Sequence, residues 1–206
     1  MIVSSAPQQS EQWFADRAGV ITASNFSKVM SNGRGNSPSK TRFSYMKEKA
    51  NEILSGTPNI NGFQNDAMRR GNELEPDARK FYTMLSGNDV EESGLIYLNE
   101  LKRIGASVDG LVGRDGLVEI KAPSLGVHMD YIIDGVMPTA YIKQIQGQMW
   151  VTGRKHCDFI SYHPDAWKMG FLIRVERDDD FIKTISDAVY SFIGDLAVLT
   201  EKLRAL

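Results

Sequence analysis

Cysteine is almost absent from this sequence, in which Cys157 stands alone among 206 residues. A single cysteine excludes a disulfide within the chain and any metal or iron–sulfur centre built from several thiolates. The three histidines, His128, His156 and His163, lack the spacing of a zinc site, and we interpret them as surface or loop residues. These residues therefore offer no disulfide framework, thiolate cluster or zinc site.

An excess of basic residues and long apolar runs are also missing. The net charge is -2 and the isoelectric point is about 5.9, which excludes a generally basic nucleic-acid coat. Any DNA would have to be held by a local field or by a shape that encloses it. No run approaches the ~18 apolar residues of a membrane span, and the N-terminus lacks a basic segment followed by an apolar one. We expect a cytoplasmic protein without a membrane partner.

With 42% apolar residues, the chain is long enough for one substantial core, and no linker demands a second domain. We predict a single domain over residues 1–206. Apolar periodicity predicts helices over 8–18, 22–30, 43–55, 65–86 (with a kink or restart at Pro76), 139–152 and 179–204. Strands are predicted over 94–99, 102–109, 116–121, 157–163 and 170–176. Turn signals predict a loop over 31–42. Strands in the middle with helices around them indicate an α/β fold with a mixed central β-sheet flanked by helices.

The segment 105–123, GASVDGLVGRDGLVEIKAP, is the most informative in the chain. It reads as an antiparallel hairpin in which Glu119 and Lys121 point to one face of the sheet. A three-residue loop at 113–115 would place Asp109 opposite Glu119, with their Cβ atoms roughly 5 Å apart. A two-residue loop at 115–116 would turn the two carboxylates to opposite faces. We predict the longer loop.

Two carboxylates placed opposite each other destabilise a hairpin unless positive charge compensates them. Lys121 supplies one charge, and a divalent cation would supply more, because Mg²⁺ favours carboxylate, water and phosphate oxygens. Such a group would suit phosphodiester hydrolysis. The spacing of Asp109, Glu119 and Lys121 alone arises by chance in about one chain of this length in twenty. On these residues alone, a solvated, salt-bridged hairpin is the simpler interpretation.

Four segments change that balance: residues 13–24 (WFADRAGVITAS), 71–79 (GNELEPDAR), the hairpin, and 141–151 (YIKQIQGQMWV). In order and spacing they resemble the phage lambda exonuclease family (YqaJ-type viral recombinases) of the PD-(D/E)xK nuclease superfamily. The resemblance covers most of the chain and implies a restriction-endonuclease-like core. One position departs from the family pattern, since Val108 stands where proline usually precedes the first aspartate.

The resemblance also implies roles for particular residues. Asp109 and Glu119, with the Ile120 carbonyl, match the ligands of Mg²⁺, for which Mn²⁺ is an alternative. Lys121 matches the catalytic lysine, Gln144 the glutamine that hydrogen-bonds the attacking water or the scissile phosphate, and Glu75 a helix-borne carboxylate near the metal. From the residues alone, an exposed acid near a helix N-terminus is the simpler interpretation of Glu75, and a solvent-facing residue is the simpler interpretation of Gln144.

Several residues are candidates for binding DNA. Arg17 and Ser24 match residues that the family places near the DNA 5′ end, where a guanidinium would grip a terminal phosphate through two hydrogen bonds. Ser24 could alternatively cap a helix. For Trp13 we favour a core position over a role as a wedge that stacks on DNA. Arg34, Lys40 and Arg42 would contact phosphates, or belong to a solvated loop and helix face.

The function implied by the resemblance is a Mg²⁺-dependent 5′-to-3′ exonuclease, phage- or prophage-encoded, that acts on double-stranded DNA ends. It would release mononucleotides and leave a 3′ single-stranded tail for recombination. The expected partners are two further copies of the chain in a homotrimer ring and a phage single-strand annealing protein. An endonuclease with the same fold and a non-catalytic DNA-end clamp are the alternatives.

Overall fold

Two mixed β-sheets form the centre of the fold in the computed structural model, which describes residues 1–33, 39–59 and 66–206. The larger sheet has five strands, in the spatial order β3 (Val90–Glu91), β6 (Gly110–Val112), β7 (Gly116–Lys121), β8 (His156–Tyr162) and β9 (Gly170–Glu176). Only the β7–β8 pair is parallel. The smaller sheet has four short strands, in the order β1 (Ile2–Val3), β4 (Ile96–Tyr97), β5 (Ile104–Ala106) and β2 (Ile21–Thr22).

Helices lie on both faces of the larger sheet. They are α1 (Glu11–Asp16), α2 (Phe26–Val29), α3 (Lys40–Ser55), α4 (Asp66–Ser86), α5 (Leu125–Asp134), α6 (Thr139–Thr152) and α7 (Asp179–Arg204), and a 3-10 turn at Ala23–Asn25 precedes α2. The predicted α/β class, with a mixed central sheet flanked by helices, is confirmed. No helix in the described ranges is both long enough and apolar enough to span a membrane.

Alternation along β7 divides the core into two parts. Leu117 joins the large cluster formed with Ile145 and Met149 of α6, whereas Val118 and Ile120 join a smaller cluster with α4. Glu119 and Lys121 therefore lie on the α6 side of the sheet. The pairing of β6 with β7 ends at Gly110 and Val118, so the last residues of β7 extend beyond β6. This leaves a gap at the edge of the sheet that both α4 and α6 can reach.

Several details of the predicted fold differ from the structure. The strand expected over 102–109 ends at Ala106, where β5 pairs with β2 and β4, and the hairpin partner of β7 is a separate strand, β6, which begins at Gly110. Residues 107–109 cross between the sheets, and side chains hold them there instead of strand neighbours. The helix α5 was not predicted, and α4 continues through Pro76 without a restart.

Candidate active site

The hairpin brings Asp109 and Glu119 together. Val112 pairs with Gly116, so 113–115 forms the loop, and the predicted three-residue loop is confirmed. One step beyond the last pair, an Asp109 carboxylate oxygen accepts a hydrogen bond of 2.7 Å from the Ile120 N–H. The carboxylates thus lie at the gap where β7 extends beyond the end of β6.

Glu119 is the centre of the polar contacts at this gap. Its side chain is fully buried, and one carboxylate oxygen accepts hydrogen bonds from Gln144 Nε2, at 2.6 Å, and from the Lys121 ammonium. The other oxygen accepts from Gln148 Nε2 at 2.7 Å. A buried carboxylate is tolerated only when donors and positive charge compensate it, and here three side chains do so.

Helix α6 supplies both glutamines because positions four apart lie on the same face of a helix. Ile145 and Met149, on another face, are fully buried in the core and fix the helix against the sheet. The helix ends at Gly153, whose φ of 72° permits the left-handed cap. Gln144 is therefore turned toward Glu119 and not simply toward solvent.

Lys121 points across the same face toward Tyr141, with its ammonium 5.3 Å from the ring centroid. The Tyr141 ring stacks on the Phe159 ring, with 5.5 Å between the ring centroids, and this contact fixes the position of Tyr141. Burial lowers the pKa of Lys121, but the Glu119 and Asp109 carboxylates outweigh it and raise that pKa. Lys121 is therefore a permanent cation between the two acids.

The pKa of Asp109 moves in the direction expected for an excess of negative charge. Burial is the largest cause, the Glu119 carboxylate adds to it, and the pKa of Asp109 rises to about 8, even though Lys121 opposes the change. A divalent cation beside Asp109 would reverse this effect by favouring the ionised carboxylate.

Glu75 reaches the gap from the opposite helix, α4. It lines one cleft of about 450 Å³ together with Asp109, Lys121 and Tyr141. Arg79 donates to it at 2.6 Å. Burial raises the pKa of Glu75, and the positive charges of Arg79 and Lys121 only partly offset this. The exposed-acid interpretation of Glu75 is wrong, because the side chain is largely covered and ion-paired.

The donor set at the gap fits a hard cation. Asp109 and Glu119 supply carboxylate oxygens, and the Ile120 carbonyl faces the Asp109 side because the N–H and C=O of a strand residue point the same way. Mg²⁺ commonly takes one or two carboxylates and completes its shell with water and substrate phosphate. Within the described ranges, no group of three or more His, Cys, Asp or Glu side chains is placed to hold a metal by itself. The remaining ligands would have to come from water, backbone and substrate.

A second polar group lies beside this gap, around Arg17. Its guanidinium donates to Ser107 Oγ at 2.8 Å and to Thr22 Oγ1 at 3.4 Å, and stacks over the Trp13 ring at 4.3 Å. Burial lowers the pKa of Arg17. Ser24 is exposed next to it, with its hydroxyl 3.3 Å from Thr22 Oγ1. A half-buried guanidinium with neighbouring hydroxyls is suited to binding a phosphate group.

The remaining candidates divide between core, surface and the undescribed part of the chain. Trp13 is 9% exposed, which agrees with the core interpretation. Lys40 is exposed at the start of α3. Arg42 is not a free cation, since it pairs with Asp195 at 2.8 Å and lies over Phe192. Arg34 lies outside the described residues.

The predicted loop over 31–42 is too long at its C-terminal end. Ser39 accepts a hydrogen bond of 3.1 Å from the Arg42 N–H and caps α3, which begins at Lys40. The sequence did not identify Ser39 as the cap, because it lies in a segment rich in glycine and serine and is followed by three polar residues.

Two residues of the site were missed by sequence reasoning. Gln148 shares a helix face with Gln144, so its spacing could have identified it as a second donor. Ser107 carried no local signal, because its contact with Arg17 joins positions 90 residues apart.

Comparison with known proteins places the chain in a family. Residues 12–155 match the YqaJ-like viral recombinase domain, and the chain belongs to that family.

Solved structures agree with this assignment. The chain is similar to an alkaline exonuclease (LHK-Exo) from Laribacter hongkongensis, with 41% identity, a TM-score of 0.86, and coverage of 95% of this chain and 97% of that one. A complex of LHK-Exo with dAMP superposes with a TM-score of 0.87. Family membership and this likeness together imply a nuclease.

A curated relative is more distant and much longer. It is the uncharacterized protein R354 of Acanthamoeba polyphaga mimivirus, 30% identical over 191 residues that cover 85% of this chain. The match spans only 31% of that relative's length.

Proposed function

We propose that this protein is a metal-dependent exonuclease that digests the 5′-terminated strand of double-stranded DNA from its ends. The supporting observation is the convergence of Asp109, Glu119 and Lys121 on one gap in the sheet, beside the half-buried guanidinium of Arg17. The likeness to an alkaline exonuclease over nearly the full length of both chains supports the same reaction class.

The Asp109 and Glu119 carboxylates and the Ile120 carbonyl would hold Mg²⁺, with Mn²⁺ as an alternative. When bound, the ion supplies positive charge that polarises the phosphate and lowers the pKa of water. Lys121 orients the attacking water and screens the charge that develops on the phosphate. Gln144, which holds Glu119 in place, is near enough to donate to the water or to the scissile phosphate. Glu75 completes the acidic wall from the α4 side.

Arg17, with Ser107 and Ser24, would bind the phosphate at the 5′ end of the strand. Ser107 lies two residues before Asp109, so this binding group and the hydrolysis site share one crossing segment. Such an arrangement favours cleavage at a fixed distance from a terminus.

The chain carries a net charge of -2, so bulk charge does not explain retention on DNA. We propose a homotrimer ring that encloses the duplex, and a phage single-strand annealing protein that receives the 3′ tail. Light scattering is expected to give three times the chain mass of 23.0 kDa. A monomer at working concentration would contradict the ring.

Digestion of a linear duplex labelled separately at each 5′ and 3′ terminus tests the reaction. With Mg²⁺, 5′ label is expected to appear first as acid-soluble mononucleotide, and EDTA is expected to block its release. Earlier loss of 3′ label would reverse the polarity. Cleavage of closed circular plasmid would favour an endonuclease, and end binding without release of nucleotide would favour a non-catalytic clamp.

A further inference from the structure

Gln148 is a buried amide whose contacts are unusual for a core position. It is 1% exposed, and its Nε2 donates to Glu119 at 2.7 Å while lying 3.4 Å from the Ser107 carbonyl oxygen. Its own amide oxygen is buried without a partner among the residues the structure describes. Methionine would fill a similar volume without an unpaired oxygen. The contribution of the glutamine must therefore come from its two donor contacts.

These contacts connect the two polar groups of the site. The Ser107 hydroxyl accepts a hydrogen bond from Arg17, and the Ser107 carbonyl accepts one from Gln148. Gln148 also donates to one carboxylate oxygen of Glu119. The resulting path runs from Arg17 through Ser107 and Gln148 to Glu119. It bridges the larger sheet and the segment that crosses to the smaller one.

We propose that Gln148 is a positioning residue that couples a phosphate held at Arg17 to the placement of Glu119. The proposal rests on the proposed function and goes beyond it, since it assigns to one side chain the dependence of turnover on the terminal phosphate. A phosphate bound by Arg17 fixes Ser107, and Gln148 then holds Glu119 at a set distance from that segment. Misplacement of about 1 Å at a reacting group is enough to slow a reaction substantially.

The test compares linear duplexes that carry either a 5′-phosphate or a 5′-hydroxyl, and measures kcat and KM for both. The wild-type protein is expected to turn over phosphorylated ends about tenfold faster or more. In Gln148→Met, kcat on phosphorylated ends is expected to fall about 10- to 100-fold, KM to stay within about threefold, and the ratio of the two kcat values to approach one.

Gln146→Met is the matched control. Gln146 is another buried glutamine of α6, but it bonds the Glu176 carbonyl and the Asp178 N–H, away from Glu119. This variant is expected to keep the wild-type phosphate preference even if its folded state is less stable. If Gln148→Met does not fold, Gln148→Asn takes its place, since its shorter amide cannot make both contacts.

The outcomes separate the two proposals. A Gln148 variant that folds and keeps both kcat and phosphate preference within about twofold of wild type overturns the coupling. A wild-type protein that digests both ends equally overturns it as well. Absence of any nucleotide release by the wild-type protein would instead overturn the proposed function.

Discussion

At the scale of single residues, the polar contacts of the site converge on Glu119. Lys121, Gln144 and Gln148 all donate to its carboxylate, although only Lys121 carries a charge. A buried carboxylate with neutral and charged donors is fixed in position before a cation or substrate arrives. Within this set, Lys121 donates to Glu119, and the Glu119 and Asp109 carboxylates both raise the pKa of Lys121.

Replacing Lys121 by methionine is expected to reduce digestion of linear duplex by about 1,000-fold or more, because charge stabilisation during phosphate displacement is lost. Binding of DNA ends is expected to change little. Initial rates of nucleotide release and end binding without Mg²⁺ measure the two effects.

Lys155→Met, just before β8, provides the control. Lys155 pairs with Asp115 at the loop and its side chain is 71% exposed. The Lys155→Met variant is expected to digest DNA at the wild-type rate. Normal digestion by Lys121→Met would contradict the assigned role.

The local sequence was enough to predict the register of the hairpin. It could not show which charged residues pair with residues far along the chain. Register could be predicted because only two loop lengths were plausible and each fixes which face every side chain takes. Arg42 pairs with Asp195, and nothing in the sequence reveals that these two residues would meet. Ser107 was missed for the same reason.

At the scale of elements, the site depends on how α6 and α4 approach the larger sheet. Helix α6 approaches the 3-10 turn and α2 closely at Gly147, where an added Cβ would lie 2.4 Å from the Phe26 ring. Phe26 is fully buried and has no room to move. A glycine inside a helix is usually a weakness, but here it allows α6 to reach its position.

Gly147→Ala is therefore expected to lower the free energy of unfolding by about 1–3 kcal/mol, through overpacking against Phe26. The same change at Gly194 of α7, where no atom lies within 4 Å of an added Cβ, is expected to raise it by about 0.5–1 kcal/mol. Urea unfolding measures both variants. A stabilising Gly147→Ala would show that α6 is not held against Phe26.

Helix α4, which carries Glu75, is tied to β8 by a buried polar group. Tyr82 donates to Asp158 at 2.7 Å, and Arg174 donates to both oxygens of the same carboxylate. Burial alone would raise the pKa of Asp158, but these hydrogen bonds outweigh burial and hold that pKa below 3.8.

A carboxylate with a lowered folded-state pKa stabilises the fold above its unfolded pKa, and this stabilisation is lost as the pH falls through the folded value. Asp158→Asn is therefore expected to lower the free energy of unfolding by roughly 1–3 kcal/mol near pH 6. The difference from wild type should shrink below about pH 4.

Denaturant unfolding across pH measures this difference. The control is Asp187→Asn, which breaks an exposed pair with Lys183 and should show little effect at any pH. A constant difference for Asp158→Asn down to about pH 2 would contradict the lowered pKa.

The long elements were predictable and the short ones were not. Helices α3, α4, α6 and α7 follow apolar periodicity over ten or more residues, and their existence was predicted. Strands β4 and β5 lie within predicted strands, but β1 and β2, which complete the smaller sheet, were missed because strands of two residues form only through pairing with distant segments. Helix α5 was missed because its stabilising contact is tertiary: the buried His128 bridges Ser161 and the Lys168 carbonyl.

At the scale of the whole molecule, the two sheets, α4 and α6 enclose one acidic gap that a cation would neutralise. Burial, with a further contribution from the Glu119 carboxylate, raises the pKa of Asp109 in that gap to about 8. Family membership and the likeness to LHK-Exo across almost the entire chain agree with a nuclease built on this arrangement.

The most direct measurement is anomalous diffraction from crystals soaked with Mn²⁺. A peak is expected between the carboxylates of Asp109 and Glu119, and it should be absent in the Asp109→Asn variant. No peak between these carboxylates in the wild-type protein, at a Mn²⁺ concentration that supports digestion, would contradict the assignment of this gap as the metal and catalytic centre.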